Sequence, residues 1–344
     1  MKRGIRAALV AAAVVATLAF AGSALAGNSA LVSVSTAGTA TTLHFSVPQT
    51  TDPIAAITIF VPTGYTANLA AAANTNIGSV DASANGHDVG LTLPLTGPVT
   101  TDSPAAHTSD VCSPATHAAV WNLNLSVAGS TLVLPLYVDP TSGAATALGA
   151  YQMLICLPPW DVPVGTPGRA FDGAQLLDAR FTVNNIFTAP TSGLSAWHTL
   201  FTPYNPGKGT VNAVATFEAR ALAGAPSVSI KATKKNGRYT VSGKVTEGGL
   251  PTAGASVILL RGTSASNLAS AGQAHTSAAG TWSASGKLTG KKPVFFKATV
   301  IAGERDATAS GCATALPPTV APGGCVSATL SPWKLSSTVV KLKP

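Results

Sequence analysis

The sequence predicts an all-β protein with two β-sandwich units in tandem behind a cleaved signal peptide, and three observations support this. Apolar and polar residues alternate along many short segments, as in strands with one buried face. The 24 prolines and 33 glycines are spread over 344 residues and leave little room for long helices. Finally, the two halves of the chain differ in charge, which indicates two units with different surfaces.

The first 26 residues have the form of a secretory signal peptide. A basic start at residues 2–6 precedes an apolar run at 7–20, and small residues lead to a predicted cleavage after Ala26. An uncleaved anchor is disfavoured because the apolar run is shorter than the roughly 20 residues that span a bilayer. We therefore expect a secreted or extracellular, envelope-associated protein with no membrane span after signal removal.

The charge and composition of the remaining chain differ between its two parts. Residues 27–168 contain no Lys or Arg, whereas the part beyond residue 201 has 16 basic residues and 4 acidic ones. An Ala-Gly-Pro stretch at 222–226 resembles a linker. We therefore predict an N-terminal all-β unit at 27–221 and a second sandwich at 227–344.

Four cysteines in an exported chain predict two disulfides. Three connectivities are open. Pairing Cys112 with Cys156 and Cys312 with Cys325 is favoured, because each pair then stays within one predicted unit.

Strands are predicted along most of the chain. Alternation marks residues 43–47, 121–127 and 239–242, and continuous apolar runs mark 57–61, 132–138, 153–157 and 257–260. Prolines such as Pro94 and Pro135 are expected at strand ends, at bulges or at the rim of a sheet.

A hairpin turn is predicted at Asn85-Gly86, between strands at 77–80 and 89–93. Asp81, Ser83 and Asn85 also match the start of a calcium-binding loop. Such a loop needs Glu at its twelfth position, where this chain has Thr92, so the hairpin interpretation is favoured.

Part of the second unit resembles a known module. The phrases V-S-G-K-V at 241–245, P-T-A-G-A-S-V at 251–257 and G-T-W at 280–282 are similar to the bacterial Ig-like, carboxypeptidase-regulatory-like repeat. The resemblance covers about residues 239–300 and implies a non-catalytic sandwich attached to exported proteins. Its core is expected to contain Val257, Leu259, Trp282, Val294 and Phe296.

Motifs of common enzymes are missing from the sequence. It contains no G-x-S-x-G, H-E-x-x-H or C-x-x-C motif and no phosphate-binding glycine loop, and the first Glu is Glu218. We therefore predict a protein that is not an enzyme and uses no cofactor, with an enzyme of unrecognised class as an alternative.

One cluster could hold a metal ion. His107, Asp110, Cys112 and His117 lie within eleven residues and have suitable donor atoms. Because Cys112 is expected to be oxidised, a surface loop tied down by its disulfide is favoured, and no metal site is predicted.

Trp197, His198, Phe201 and Tyr204 could form a stacking platform for a sugar, which suggests a carbohydrate-binding protein. The favoured alternative is that they cap a core beneath a long loop. Residues 188–226 are expected to be mostly irregular, with one strand at 214–219.

The second unit has a basic cluster at Lys231, Lys234, Lys235 and Arg238. It could attract anionic polymers of the cell envelope, or it could simply form a solvated face. Nucleic acid is not expected as a partner, since no aromatic residues are interleaved with the lysines.

These observations favour an exported, non-catalytic structural or ligand-binding protein of the cell envelope, with the basic unit as its adhering part. The partners would be anionic envelope polymers or glycans.

Overall fold

The computed structural model describes residues 28–127, 130–288, 292–308 and 327–343. Strands account for 57% of residues and helices for 5%, which confirms the all-β prediction. Within the described residues, no helix is long and apolar enough to cross a membrane. The predicted signal peptide, Cys312 and Cys325 lie outside the described residues.

The elements of the described residues follow in chain order. The strands are β1 (Leu31–Ala37), β2 (Ala40–Ser46), β3 (Ile54–Val61), β4 (Thr66–Ala67), β5 (Asn76–Gly86), β6 (Leu91–Asp102), β7 (Ala119–Val127), β8 (Ser130–Pro140), β9 (Tyr151–Cys156), β10 (Ala174–Asn184), β11 (Phe187–Thr188), β12 (Ser195–Pro203), β13 (Phe217–Ala223), β14 (Pro226–Val228), β15 (Lys231–Lys235), β16 (Arg238–Glu247), β17 (Leu250–Pro251), β18 (Ser256–Gly262), β19 (Leu268–His275), β20 (Thr281–Lys287), β21 (Val294–Ala302), β22 (Arg305–Thr308), β23 (Ser327–Leu330), β24 (Trp333–Ser336) and β25 (Val340–Leu342). Short 3₁₀ helices occupy Pro104–His107, Gly143–Ala147, Phe171–Gly173 and Ala213–Ala215.

The first unit is built on one long sheet, which is antiparallel except where β23 pairs with β13 in parallel. Its strand order is β1-β2-β10-β5-β6-β7-β8-β9-β3-β12-β13, and β23 and β22 follow beyond β13. The sheet curls so that its inner face surrounds one core and β1 packs against β13. A hydrogen bond from Thr36 Oγ1 to Gly224 O, at 3.0 Å, joins these two edges.

The two ends of this curled sheet differ. At the end that meets the second unit, called the junction end below, five aromatic side chains form a continuous series of contacts across the interior. Ring centroids are 5.2 to 6.4 Å apart along the series, which we call the aromatic floor. Its members are Tyr65, Trp197, Phe187, Trp121 and Phe181.

A β-bulge in β10 keeps the inner face of the sheet apolar. Leu177 is left out of the pairing with β5, where the register shifts between Leu176 and Asp178. Because one extra residue reverses the alternation of side chains, Leu176 and Ala179 both face inward although they are three residues apart.

Three prolines lie inside strands, at irregularities of the strand pairing. Pro94 and Pro98 are within β6, at positions that pair with β5 but have no partner on β7. Pro135 is within β8, just before the pairing with β9 begins at Leu136. Each proline therefore lies beside an interruption of the ladder, where the lost N–H donor costs little.

The predicted hairpin exists, but its turn does not lie at Asn85-Gly86. Both residues belong to β5, Gly86 pairs with Leu91, and the turn is formed by residues 87–90 with Gly90 at φ 65°. Gly86 is needed for close packing instead, because a Cβ there would lie 2.8 Å from Val89 Cγ2.

The second unit consists of two facing five-stranded sheets. One contains β14, β16, β15, β17 and β20, and the other contains β19, β18, β21, β24 and β25. Their inner faces share one core. The predicted core residues Val257, Leu259, Trp282, Val294 and Phe296 are all buried in it.

The two units meet through close backbone contacts rather than a loose linker. Leu222 lies in β13 and is fully buried, so the predicted linker is reduced to residues 224–225. Gly193 N donates to Gly248 O at 2.7 Å, and Gly248 N donates to Ala225 O. Gly248 has a φ of +56°, and a Cβ there would lie 2.3 Å from Gly193 O.

A buried carboxylate supports this junction. Trp333 Nε1 donates to Glu247 Oε2 at 2.7 Å, and Arg305 forms an ion pair with the same oxygen. Burial raises the pKa of Glu247, although both partners favour the charged form. Arg305 and Trp333 lie on strands near the C-terminus, which are thereby fixed to β16.

Replacing Trp197 by Ala tests the aromatic floor. Because Trp197 is fully buried, we expect Trp197→Ala to lower the free energy of unfolding by about 3 to 5 kcal/mol in urea titrations. Val111→Ala, at a fully exposed position, is the control and should change it by less than about 0.5 kcal/mol. Equal effects of the two substitutions would contradict the placement of Trp197.

Candidate functional site

The strands of the first sheet are unequal in length, and this leaves part of its interior unfilled. The pairing of β8 with β9 starts only at Leu136, so Leu132 and Leu134 extend past the end of β9. Opposite them, β5 and β6 are 11 and 12 residues long. The inner faces of these long strands therefore lack side chains to pack against at the end away from the second unit, called the mouth end below.

A cavity of about 470 Å³ occupies this space. Its walls come from β2, β3 and β5–β10, and almost all of them are aliphatic or aromatic. The apolar side chains that line it are Phe45, Ile57, Val80, Ala82, Ala84, Leu93, Leu95, Leu123, Leu125, Leu132, Leu134, Ile155, Leu157, Pro158, Ala170, Phe171, Ala174, Leu176, Ala179 and Phe181.

The cavity has a closed bottom and an open mouth. Phe181, a member of the aromatic floor, lines its bottom, and Phe201 packs behind Phe45 at 6.3 Å between ring centroids. The exposed residues of its lining, Ser130, Thr131, Gly168 and Phe171, mark the mouth.

Residues 157–173 cross the mouth end and form a segment that we call the strap. Arg169 holds it: two guanidinium nitrogens donate to the carboxylate of Asp88 at 2.6 and 2.8 Å, and Nε donates to Val162 O at 2.7 Å. The Arg169 guanidinium lowers the pKa of Asp88, and Asp88 raises that of Arg169. The ion pair thus links the strap to the β5–β6 turn at neutral pH.

Further contacts fix the strap along its length. The rings of Trp160 and His87 stack with centroids 4.0 Å apart and an angle of 6° between their planes. His87 also hydrogen-bonds Gln175 Oε1 through Nε2, at 2.9 Å. At the start of the strap, Tyr204 Oη donates to Leu157 O at 2.8 Å.

The chemistry of the cavity is that of a binding site for an apolar molecule. Small-molecule sites are typically apolar concavities of about 300 to 1,000 Å³. An apolar cavity of about 150 Å³ is known to stay dry and accept benzene, and this one is about three times larger. Arg169 is the one charged residue in its lining, and its donors are engaged within the protein.

The structure does not support the alternative of an aromatic platform. Trp197 and Phe201 are fully buried and face the core from β12, because β12 is an inner strand paired with both β3 and β13. Tyr204 anchors the strap, and the four residues share no exposed face. Residues 195–203, expected to be irregular, form this strand, and the strand predicted at 214–219 is β13 at Phe217–Ala223.

His198 lies on the outer side of the same sheet. It is buried and forms a hydrogen bond with Glu218 through Nδ1, and Arg220 donates to the other carboxylate oxygen at 2.7 Å. Burial opposes ionisation of Glu218, but these two partners outweigh it and lower its pKa. The group is therefore a satisfied polar cluster rather than a ligand site.

The predicted metal-ligand candidates form two separate groups. The Cys112–Cys156 disulfide is present, as predicted, with a Cα–Cα distance of 6.1 Å. His107 bonds Asp110 and Asp102, whereas His117 bonds Asp139. Within the described residues, no group of three or more His, Cys, Asp or Glu side chains has an arrangement that could hold a metal ion.

Tyr137 joins the His107 group to the outer face of the sheet. Its hydroxyl donates to Asp110 Oδ2 at 2.7 Å, the oxygen that His107 Nδ1 also approaches to 2.7 Å. Partial burial opposes protonation of His107, yet its bonds to Asp110 and Asp102 raise its pKa above the usual value. The same contacts lower the pKa of both aspartates.

The basic cluster lies on an exposed hairpin. Lys231, Lys234 and Lys235 belong to β15 and Arg238 to β16, and all four are exposed. Lys287 on β20 pairs with Arg238 in register and extends the cluster. Among the described residues, none of these five forms an ion pair.

Sequence reasoning did not predict the cavity. Its lining residues look like those of a filled core, since Leu93, Leu132 and Leu176 follow the same alternation as buried neighbours. The available signal was Pro135, which marks where β8 extends past its partner, together with the four prolines of the strap at 158, 159, 163 and 167.

No protein-family model matches the sequence, and no curated protein matches it. A crystal structure described as that of "a putative carbohydrate binding protein from Bacteroides uniformis" is similar to this chain at 13% sequence identity. The match covers 51% of this chain and 85% of that chain, with a TM-score of 0.22. At that score the two structures do not superpose well enough to transfer a fold, a site or a ligand.

The His107 group predicts a pH dependence of stability. Because its folded pKa is raised, the stabilisation is fully present below about pH 6.5 and is lost as the pH rises through the raised value. The contribution of Asp102 and Asp110, whose pKa values are lowered, is present above about pH 3.8 and is lost in stronger acid. Melting temperature should therefore fall as the pH rises above about 6.5, through the raised pKa of His107.

His107→Gln should reduce this fall in melting temperature, and His275→Gln, at an exposed position, serves as the control. A pH profile unchanged by His107→Gln would contradict the assignment.

Proposed function

We propose that this protein binds an apolar small molecule in the cavity of its first sheet. The observation that carries the proposal is a pre-formed cavity of about 470 Å³ with almost entirely apolar walls. A water molecule in the cavity can form few hydrogen bonds. An apolar ligand that fills the cavity therefore buries both its own apolar surface and the apolar surface of the walls. The free energy of binding comes mainly from this burial.

The arrangement supports binding rather than catalysis. Enzymatic catalysis needs polar or titratable groups that converge beside the substrate. The lining contributes Ser130, Thr131 and Arg169 only near the mouth, and Arg169 is engaged by Asp88. We therefore propose a non-enzymatic carrier or receptor rather than an enzyme.

The remaining parts of the functional proposal rest on sequence features. The predicted signal peptide supports export to the cell exterior or envelope, and the Cys112–Cys156 disulfide is consistent with an oxidising compartment. The phrases at 241–282 support an Ig-like, carboxypeptidase-regulatory-like module in the second unit. A sugar-binding function would need residues other than the buried Trp197 and Phe201.

Filling the cavity should weaken ligand binding. Ala82 and Ala179 face the cavity, so Ala82→Leu with Ala179→Leu places new side chains in it. We expect the affinity for the neutral fluorescent probe N-phenyl-naphthylamine, measured by titration, to fall by about tenfold.

The matched control makes the same two changes at exposed positions. Ala105→Leu with Ala106→Leu lies in the loop on the outer wall and should leave probe affinity unchanged. Urea titrations establish that both variants are folded. Equal affinity of the cavity variant and the control would refute binding in the cavity.

The basic hairpin supports a second function, which is attachment to anionic envelope polymers. The four cationic side chains of Lys231, Lys234, Lys235 and Arg238 are exposed on adjacent strands, and Lys287 adds a fifth. Like charges held this close create a local positive field that attracts polyanions and is screened by salt.

Neutralising the hairpin tests the attachment. Changing its four residues 231, 234, 235 and 238 to Gln should lower the salt concentration at which the protein elutes from immobilised heparin. The control removes four charges elsewhere, at Lys292, Lys334, Lys341 and Lys343, which are also exposed. If both variants elute equally early, net charge rather than the hairpin determines the attraction.

A further inference from the structure

Exposed apolar side chains concentrate at the mouth end of the first sheet. Four separate segments contribute them: the start of β1, the β5–β6 turn with the first residue of β6, the strap, and the loop between β12 and β13. Together they form what we call the mouth face. Its members are Leu31, Val89, Leu91, Val164, Phe171, Val211 and Val214.

The exposure of these residues is large. Val164 is 80% exposed, Leu91 63% and Phe171 55%, and Phe171 also lines the cavity. By contrast, four described turns at the junction end, residues 38–39, 62–75, 141–150 and 185–194, contain no large exposed apolar side chain, and the β6–β7 connection at 103–118 contains one, the fully exposed Val111. Single exposed apolar residues such as Val111 and Val133 are ordinary, but the concentration of the other seven of the first unit at one end marks an interaction surface.

The mouth face carries few charges that would attract an ionic partner. Residues 47–53, 87–90, 157–173 and 204–216 contain four aspartates, one arginine and one lysine. Arg169 is neutralised by Asp88. The net charge of these residues is slightly negative, which disfavours binding to an anionic surface. Burial of apolar surface is then the main source of attraction.

We propose that the mouth face docks on an uncharged lipid surface, from which a lipid hydrocarbon chain passes into the cavity. This inference rests on the proposed function, since it names the ligand class and its source. An apolar ligand has little solubility in water, and docking with the mouth against lipid lets it enter without crossing solvent.

The form of the mouth face favours lipid over a protein partner. Its apolar residues lie in three loops and at the first residues of β1 and β6, beside the opening of the cavity. Such separate segments enter a fluid acyl layer individually, in the manner of interfacial segments. Trp160 on the strap, half-buried against His87, has the amphipathic ring that is common at membrane surfaces. The second unit lies at the opposite end and leaves this face free.

Vesicle flotation tests the proposal. The chain from Gly27 onward is used, because the apolar run at 7–20 would itself enter lipid. It should float with phosphatidylcholine vesicles, and adding phosphatidylglycerol or about 0.5 M salt should not increase or abolish this binding. Leu91→Ser with Val164→Ser should lower the partition coefficient at least about tenfold.

The matched control replaces the same residue types on the second unit. Leu250→Ser with Val339→Ser removes two exposed apolar side chains far from the mouth and should float like the unmodified chain. Neither Leu91 nor Val164 lines the cavity, so the mouth variant should bind N-phenyl-naphthylamine in vesicle-free solution as the unmodified chain does. That measurement separates failure of docking from failure of the proposed function.

Three results would overturn the proposal. The first is equal flotation of the mouth variant and the control. The second is flotation that needs phosphatidylglycerol and disappears in salt, which would assign lipid binding to the basic hairpin. The third is a dimer in sedimentation that only the mouth variant disrupts, which would assign the mouth face to a second copy of this chain.

Discussion

The structure depends on how an eleven-stranded sheet fills the space inside its own curl. A sheet this wide encloses more volume than ordinary side chains occupy, so the interior must be filled by large residues or left partly empty. The aromatic floor fills the junction half, where Trp121 and Trp197 meet Phe187. The mouth half is lined mainly by Leu and Ala, with a few Phe and Ile, and remains open. Stability and binding are therefore divided between the two ends of one sheet.

The strap makes this division possible. Without a cover, the inner faces of β5 to β8 would be open to water over the length by which these strands extend past β9. Residues 157–173 close most of that gap, and the ion pair of Arg169 with Asp88 fixes them to the opposite wall. The only arginine or lysine in residues 27–179 is Arg169. Arg169, the first Lys or Arg residue of the first unit, thus holds the strap over the cavity.

Local sequence patterns predicted the elements well and their long-range arrangement poorly. Strands such as β7 and β16 follow from alternation, and the core of the second unit follows from the phrases around Val257 and Trp282. The cavity could not be predicted, because a lining leucine and a packed leucine have the same pattern. The difference lies in which strands are opposite each other, and pairings such as β3 with β12 join residues far apart in the chain.

The errors share a physical cause. Asn85-Gly86 has the intrinsic preference for a tight turn, but contacts from the strap hold residues 87 and 88 in a wider one, through hydrogen bonds to Gly173 and Asp172. Residues 195–203 lack clean alternation because both faces of β12 are covered. In each case tertiary contacts override the local preference.

The glycine contacts between the units have a consequence for how the molecule unfolds. Ala37, at the end of β1, packs against the core of the second unit, and Gly193 is hydrogen-bonded to Gly248. Neither set of strands can separate without exposing part of the other's interior. We therefore expect the two units to unfold together in one cooperative transition rather than independently.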